Sequence, residues 1–224
     1  MTASSGTVFL LDDDPSILVA LERLLRARGF EVQSFSSPRL FLARHDPAAP
    51  GCVVLDIAMD EVDGLGVQNA LIESGGDRPI VFLTGRGDIP MTVRAMKAGA
   101  VSFLTKPVVA DELLAAVRLA LEKDQAARQR REESEALSGR LATLTPRESE
   151  VLRHVIAGRL NKQIAADLGT VEKTIKVHRG RVMQKLAVRS IADLVRLTER
   201  AKIEPASKIG RDEAAVHMRP KGNY

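Results

Sequence analysis

The first half of the chain alternates short apolar runs with amphipathic stretches, and this order predicts a parallel β-sheet covered by helices on both faces. Several runs are apolar without alternation, as expected for interior strands that bury both faces. The predicted strands are residues 8–11, 30–35, 52–56, 79–84 and 101–105. The predicted helices are residues 15–28, 38–45, 65–74, 89–98 and a stretch from 111 onward. We therefore expect an α/β domain with a doubly wound (βα)5 sheet.

The second half has the pattern of a small all-α domain. Thr145, Pro146 and Glu148 form a capping box with proline at the first helical position, which predicts a helix from there to about residue 158. Asn161 is predicted to cap a second helix that stops at Gly169. A third helix is expected over about 172–186 and a fourth from residue 190. Two short helices around a glycine-containing turn indicate a helix-turn-helix.

The segment between the two halves is charged and poor in large apolar residues. Residues 122–140 favour an exposed helical linker, and a coiled coil is the weaker interpretation because no apolar seam is sustained. We expect four segments with different roles. They are a first domain at 1–122, a helical linker at 123–141, a helix-turn-helix domain at 142–204 and a disordered tail at 205–224.

Composition narrows the class of protein. With 224 residues, 45% hydrophobic content and 28% charged residues, the chain is expected to fold into compact domains rather than remain disordered. A single cysteine excludes an intramolecular disulfide framework and a cysteine-rich metal site. The first residues, MTASSGTVFLLDDD, have no basic segment and only a short apolar run. We expect a cytoplasmic protein that does not span a membrane.

Charge divides unevenly along the chain. Residues 1–122 hold 11 lysines and arginines against 16 acidic residues, a net charge of −5, whereas residues 123–224 hold 22 against 13, a net charge of +9. A basic second domain is typical of nucleic-acid binding, although a merely solvated basic surface would look the same by charge alone.

Polar residues follow four of the five predicted strands. They are Asp12 and Asp13, Asp56, Thr84, and Thr105 with Lys106. Because ligands of open α/β sheets bind at the carboxyl ends of the strands, we expect these groups to lie together. Three carboxylates without histidine or cysteine suit Mg²⁺ or Mn²⁺, and a hydroxyl with an ammonium beside them would complete a phosphoryl site. Taken singly, Lys106 would be a surface lysine, and Thr84 and Asp14 helix caps.

These motifs carry a family resemblance. Residues 7–121 resemble the receiver domain of two-component response regulators, through LLDDD, LDIAMDEVDGL, VFLTGRGDIPMTVRAMKAGA and FLTKP in that order. Residues 142–200 resemble the LuxR-type helix-turn-helix of the FixJ/NarL class, through LTPRESEVLRHVIAGRLNKQIA and EKTIKVHRGRVMQKL. The resemblance implies a DNA-binding response regulator that is not an enzyme.

The resemblance implies roles for the acidic residues. Asp56 would be the phosphoacceptor, a carboxylate nucleophile that takes a phosphoryl group from a sensor histidine kinase. Asp13 and Asp56 would bind Mg²⁺ together with the backbone carbonyl of Ala58, and Asp12 would help through water.

The same resemblance implies a conformational switch. Lys106 would pair with the phosphoryl oxygens, and its bond to Pro107 is expected to be cis. Thr84 would hydrogen-bond the phosphoryl group and move inward, and Phe103 would follow. The face formed by the fifth strand and the helix at 89–98 would then rearrange.

One stretch departs from the family pattern. Where receivers commonly read Met-Pro-Gly-Met-Asp-Gly, residues 59–64 read MDEVDG, which adds Asp60 and Glu61 near Asp56. We expect tighter divalent-cation binding or altered autodephosphorylation, because the added negative charge attracts a cation or repels a phosphoryl donor.

The third helix of the basic domain is predicted to read DNA. Its apolar residues Ile175, Val182 and Leu186 share one face, and the opposite face carries Lys173, Lys176, Val177, Gly180 and Gln184. By resemblance this is the recognition helix, with Lys176 and Val177 at base-contacting positions.

Other residues of this domain have expected supporting roles. By resemblance, Thr174, Arg181 and Lys162 are candidates for phosphate contacts. His178 lies between the two faces and is expected to pack rather than bind metal. Relatives place serine where this chain has Val171, so Thr170 is an alternative cap for the helix.

The expected function is transcription control, in which phosphorylation of Asp56 promotes homodimerisation on promoter DNA. Two alternatives remain open from the sequence. Asp12, Asp14 and Ser16 resemble the nucleophile motif of haloacid-dehalogenase phosphatases, although Asp111 and Glu112 open a helix where that family needs a strand-end acidic pair. The other alternative is a receiver that acts only through protein contacts.

Overall fold

A computed structural model describes residues 6–60, 62–85 and 89–207. The chain divides into two compact units, with the boundary between Arg130 and Arg131. The predicted disordered tail falls mainly on residues 208–224, and Glu61 belongs to the departure at 59–64; both lie outside the described residues. No helix in the described ranges is apolar over a length that could cross a membrane.

The first unit is the predicted (βα)5 domain. Its strands are β1 (Thr7–Leu11), β2 (Glu31–Phe35), β3 (Gly51–Asp56), β4 (Ile80–Thr84) and β5 (Ser102–Thr105). Its helices are α1 (Pro15–Ala27), α2 (Pro38–Arg44), α3 (Gly64–Glu73), α4 (Ile89–Lys97) and the part of α5 (Ala110–Ala142) that precedes the unit boundary. All strand pairs are parallel, in the order β2-β1-β3-β4-β5. The predicted fold class is confirmed, and the ends of the predicted strands differ by one residue.

Two apolar layers enclose the sheet because successive strand residues point to opposite faces. Val8, Leu10 and Val54 pack with α1 and α5 on one face. Phe9 and Leu55 pack with α2, α3 and α4 on the other. Burial on both faces explains why these strands read as unbroken apolar runs.

Helix α5 extends well past the sheet. It is continuous over 33 residues and therefore includes the stretch predicted to be a helical linker. Its buried apolar residues end at Leu121, and Asp124 is buried beyond that point. The predicted domain boundaries at 122 and 141 stay predictions.

The second unit contains α6 (Pro146–Ile156), α7 (Asn161–Asp167), α8 (Glu172–Lys185) and α9 (Ile191–Arg200). Its core is built from all four helices, with Leu152, Ile164, Ile175 and Leu194 almost fully enclosed. The predicted helix-turn-helix is confirmed.

Two predicted caps are corrected. Asn161 does not cap α7: Leu160 occupies the cap position, and its amide donates to Gln163 Oε1 at 2.8 Å. The Asn161 side chain instead accepts from Arg179 at 2.9 Å. Helix α8 starts after Val171, which makes no side-chain cap bond, so the alternative cap at Thr170 is not adopted.

The capping box of α6 is confirmed and carries a third partner. Glu148 Oε2 accepts from the Thr145 amide at 2.9 Å and from Lys185 Nζ at 2.6 Å, and the Glu148 amide donates to Thr145 Oγ1. Chiefly through the Lys185 ammonium, and also through the Thr145 amide, the pKa of Glu148 falls from 4.5 to about 2. One carboxylate therefore joins the start of α6 to the end of α8.

We expect Glu148 to contribute to acid stability of the second unit. Its folded pKa is depressed, so its contribution is fully present above pH 4.5 and is lost as pH falls from 4.5 toward 2. Glu148→Gln should lower the free energy of unfolding at pH 7 by about 1 kcal/mol, and this deficit should shrink across that window. Urea unfolding at pH 7, 4 and 2.5 measures it; a deficit independent of pH would contradict the assignment.

Candidate functional site

The carboxyl ends of three strands bring four charged side chains together. Asp12 and Asp13 follow β1, Asp56 ends the neighbouring β3, and Lys106 follows β5. One carboxylate oxygen from each of the three aspartates lies within 4.8 Å of the others. Asp12 and Asp56 are buried, whereas Asp13 is exposed at the rim. We call these three residues the acidic pocket.

Lys106 joins the two buried members of the acidic pocket. Its Nζ donates to Asp12 Oδ2 at 2.6 Å and to Asp56 Oδ2 at 2.8 Å. Burial raises the pKa of Asp12, although the bond from Lys106 opposes that effect. Burial by itself would lower the pKa of Lys106, but its bonds to Asp12 and Asp56 raise it overall. One ammonium therefore offsets part of the repulsion between two buried carboxylates.

The predicted switch residues lie on adjacent strands. Thr84 is buried at the end of β4, and its carbonyl accepts from the Lys106 amide at 2.6 Å. Phe103 on β5 is partly buried, with its ring centroid 6.1 Å from that of Phe82. The bond between Lys106 and Pro107 is cis, as predicted.

Helix α3 begins against the phosphoacceptor candidate. Asp63 caps the helix by accepting from the Gly66 amide at 2.7 Å. A Cβ on Gly64 would lie 2.7 Å from the carbonyl oxygen of Asp56, so only glycine allows this approach. Ala58 donates its amide to Asp56 Oδ1 at 3.4 Å, and the Asp60 amide donates to Asp13 Oδ2 at 3.3 Å.

The donor set fits a hard divalent cation. The acidic pocket offers only carboxylate oxygen atoms and receives one ammonium. Carboxylates of this kind bind Mg²⁺ or Mn²⁺ in preference to zinc. When bound, the cation would neutralise charge on phosphoryl oxygens.

Asp14 has a local structural role. Its Oδ1 accepts from the amides of Ser16 at 2.8 Å and Ile17 at 3.4 Å, and also from the Ser16 hydroxyl. The prediction that Asp14 is a helix cap is confirmed. In the alternative phosphatase interpretation Asp14 belongs to the nucleophile motif, whereas here its Oδ1 accepts from the start of α1.

The surface of α8 has the two predicted faces. Ile175, Val182 and Leu186 are buried in the core of the second unit. The candidate DNA-reading residues Lys173, Lys176, Val177, Gly180 and Gln184 are all exposed.

The candidate phosphate-contacting residues lie around that surface. Arg181 is exposed on α8, and Lys162 is exposed on α7. Thr174 is half-buried, and so is His178, between the two faces. The side chain of Arg179 is held by Asn161, which joins the start of α7 to α8.

Comparison with known families agrees with both units. Residues 8–118 match the response regulator receiver domain, and residues 142–198 match the bacterial regulatory proteins of the luxR family. The chain belongs to the LuxR-family response regulators. It is therefore a DNA-binding response regulator of a two-component system, with a regulatory receiver domain.

Relatives of this response regulator match nearly all of its length. It is 46% identical to the response regulator protein TodT of Pseudomonas putida over 202 residues, which covers 90% of this chain and 89% of TodT. It is 36% identical to the transcriptional regulatory protein FixJ of Bradyrhizobium diazoefficiens, covering 88% of this chain and 97% of FixJ. The solved structure of response regulator StyR matches with a TM-score of 0.81 at 48% identity, covering 87% of this chain and 98% of that one.

A polar network that was not predicted from the sequence lies at the opposite end of β3 from the acidic pocket. It consists of Arg78, Asp124 and Arg128, which bind backbone groups of residues 46–51. The i, i+4 spacing of Asp124 and Arg128 was visible as a helix-surface pair. Their backbone partners lie more than 70 residues away in the chain, and no local pattern indicates them.

Proposed function

We propose that this response regulator controls transcription through phosphorylation of Asp56 by a sensor histidine kinase, with homodimerisation on promoter DNA as the output. The observation that carries the proposal is the acidic pocket joined to Lys106 at the strand ends of a receiver. A second unit with an exposed basic helix accompanies it in the same chain. Neither feature alone would connect a phosphoryl signal to a promoter.

The residues around Asp56 support a role as nucleophile. An Asp56 carboxylate oxygen would attack the phosphorus, forming a P–O bond while the P–N bond of the kinase phosphohistidine breaks and the histidine leaves. Asp13 and Asp56 would hold Mg²⁺ together with the backbone carbonyl of Ala58, and Asp12 would help through water. Lys106 already lies 2.8 Å from Asp56 and would pair with the incoming phosphoryl oxygens.

Phosphorylation would change the forces on Lys106 and Thr84. A phosphoryl group adds nearly two negative charges and several acceptor oxygens at one point. Lys106 would gain a stronger partner than the Asp56 carboxylate, and the Thr84 hydroxyl would gain an acceptor. We propose that Thr84 and Phe103 move together and reshape the face formed by α4 and β5, where two receivers would associate.

Dimerisation would place two α8 helices on a two-fold symmetric site. Lys173, Lys176 and Val177 would enter the major groove, while Lys162, Thr174 and Arg181 would contact phosphates. Two half-sites bound together increase affinity without any new contact within one half-site.

Acetyl phosphate with Mg²⁺ tests this function directly. We expect peptide mapping to place the phosphoryl group on Asp56, with a monomer-to-dimer shift in sedimentation and tighter binding to a promoter fragment. Modification at another residue, or modification that leaves self-association and promoter binding unchanged, would contradict the proposal.

Lys176→Ala tests the DNA-reading face. We expect specific promoter binding to weaken by about 1–3 kcal/mol and the dependence on salt to become shallower. Lys123→Ala removes the same charge from the exposed surface of the first unit and should leave promoter binding unchanged. Fluorescence anisotropy across a salt series measures the promoter affinity of both variants. If Lys176→Ala bound the promoter as tightly as Lys123→Ala, Lys176 would be excluded from the interface.

A further inference from the structure

Beyond Leu121, polar contacts replace apolar packing in holding α5 to the first unit. Leu121 is the last apolar residue of α5 in the core. One turn later, Asp124 is only 6% exposed, although a carboxylate is costly to bury without partners. Its partners therefore explain why it lies there.

Asp124 caps the start of β3. Its Oδ2 accepts from the amide of Gly51, the first residue of that strand, at 2.9 Å. The same oxygen accepts from Arg128 Nε at 2.8 Å. Gly51 also brings the strand too close to its neighbour for any side chain, because a Cβ there would lie 2.1 Å from the Thr7 carbonyl oxygen.

Two arginines bind the backbone that precedes β3. Arg128 donates to the carbonyl of Ala48 at 2.6 Å and to that of Ala49. Arg78 donates to the carbonyls of Asp46, Pro47 and Ala49, and its guanidinium lies 4.6 Å from the Phe9 ring centroid. Guanidinium groups suit this role because their fixed donors reach several acceptors at once.

We infer that Asp124, Arg128 and Arg78, which we call the α5 network, are positioning residues that couple the receiver to the output domain. The inference rests on the proposed function, because it concerns how phosphorylation changes DNA binding. The network fixes α5 to the opposite end of β3 from Asp56, so one strand connects the two places. Helix α5 continues from Arg128 to Ala142.

A helix transmits a structural rearrangement along its length only when the end that receives it is held in place. Asp124 is the one buried residue of α5 after Leu121. Without the α5 network, this part of the helix would open locally at little cost, and a rearrangement of the receiver would not pass along it.

Two variants in the full-length protein test the inference. Arg128→Met keeps an unbranched, apolar stem and removes the guanidinium donors, and Asp124→Asn removes the charge. Gln125→Ala is the matched control, exposed on the same turn. Three quantities are measured: the rate of phosphorylation by acetyl phosphate, the ratio of promoter affinities with and without phosphorylation, and hydrogen exchange over residues 122–130.

We expect phosphorylation rates within about twofold of wild type, an affinity ratio reduced at least about fivefold, and amide exchange at least about tenfold faster over 122–130. Arg128→Lys restores the charge without the forked contacts and should recover the ratio only in part. A wild-type ratio kept by both variants would overturn the inference alone. A ratio of one in the wild type would overturn the proposed function and, with it, the inference. A phosphorylation rate that falls as far as the ratio would overturn the positioning role, because the network would then be needed for the receiver itself.

Discussion

Asp56→Asn is expected to reduce phosphoryl incorporation from acetyl phosphate at least about 100-fold, because an amide oxygen is a poor nucleophile. The variant should still fold. Asparagine has nearly the same shape as aspartate, and Lys106 keeps its bond to Asp12 at 2.6 Å. Phosphorylation-dependent promoter binding should disappear with the label. Intact-protein mass spectrometry measures incorporation, and anisotropy measures promoter affinity.

Asp60→Asn is the matched control for that experiment. Asp60 is an exposed carboxylate four residues along the chain, and only its amide is bonded to the acidic pocket. The control should still accept a phosphoryl group. The lifetime of that group should change, because one negative charge near it has been removed. Full labelling of Asp56→Asn, or loss of labelling in Asp60→Asn, would place the phosphoacceptor elsewhere.

Gly51→Ala is expected to destabilise the first unit by about 3 kcal/mol or more, because the new Cβ would collide with backbone. A Cβ on residue 51 would lie only 2.1 Å from the Thr7 carbonyl oxygen, and the φ angle of Gly51 is 156°. Relief of the collision would pull β3 away from β1 and lengthen the bond between the Gly51 amide and Asp124. Urea unfolding measures the loss of stability. Hydrogen exchange resolved by segment distinguishes an effect on β3 from an effect on helices α6–α9.

Gly139→Ala gives the opposite result and serves as control. Gly139 lies within α5, and a Cβ there meets no atom within 4 Å. Alanine should therefore stabilise the helix by up to about 1 kcal/mol. Equal stabilities of Gly51→Ala and the wild type would show that β3 can shift without loss.

Much of the site was predictable because its residues follow strands. Asp12, Asp13, Asp56 and Lys106 stand at strand ends in the sequence, and parallel strands place those ends at one edge. The faces of α8 were predictable for a similar reason, since helical periodicity separates Ile175 and Val182 from Lys173 and Lys176. In both places a local pattern defines a direction in space.

The errors and omissions arose where the partner is distant in the chain. Asn161 looked like a helix cap by residue type, but its side chain accepts from Arg179, 18 residues later. Asp124 looked like part of a solvated linker, yet it is buried against Gly51. A side chain with several possible partners binds the one that tertiary packing brings near. A local sequence pattern does not indicate which partner that is.

The alternation of strands and helices along the chain, the identity of the acidic and basic groups and the two domains followed from the sequence itself, because periodicity and strand-end chemistry are local properties. Only the tertiary structure decided that Lys106 bridges Asp12 and Asp56, that Gly64 lies against the Asp56 carbonyl, and that α5 is bound to the start of β3. These are contacts between distant segments, and their geometry exists only once the sheet and its helices have packed.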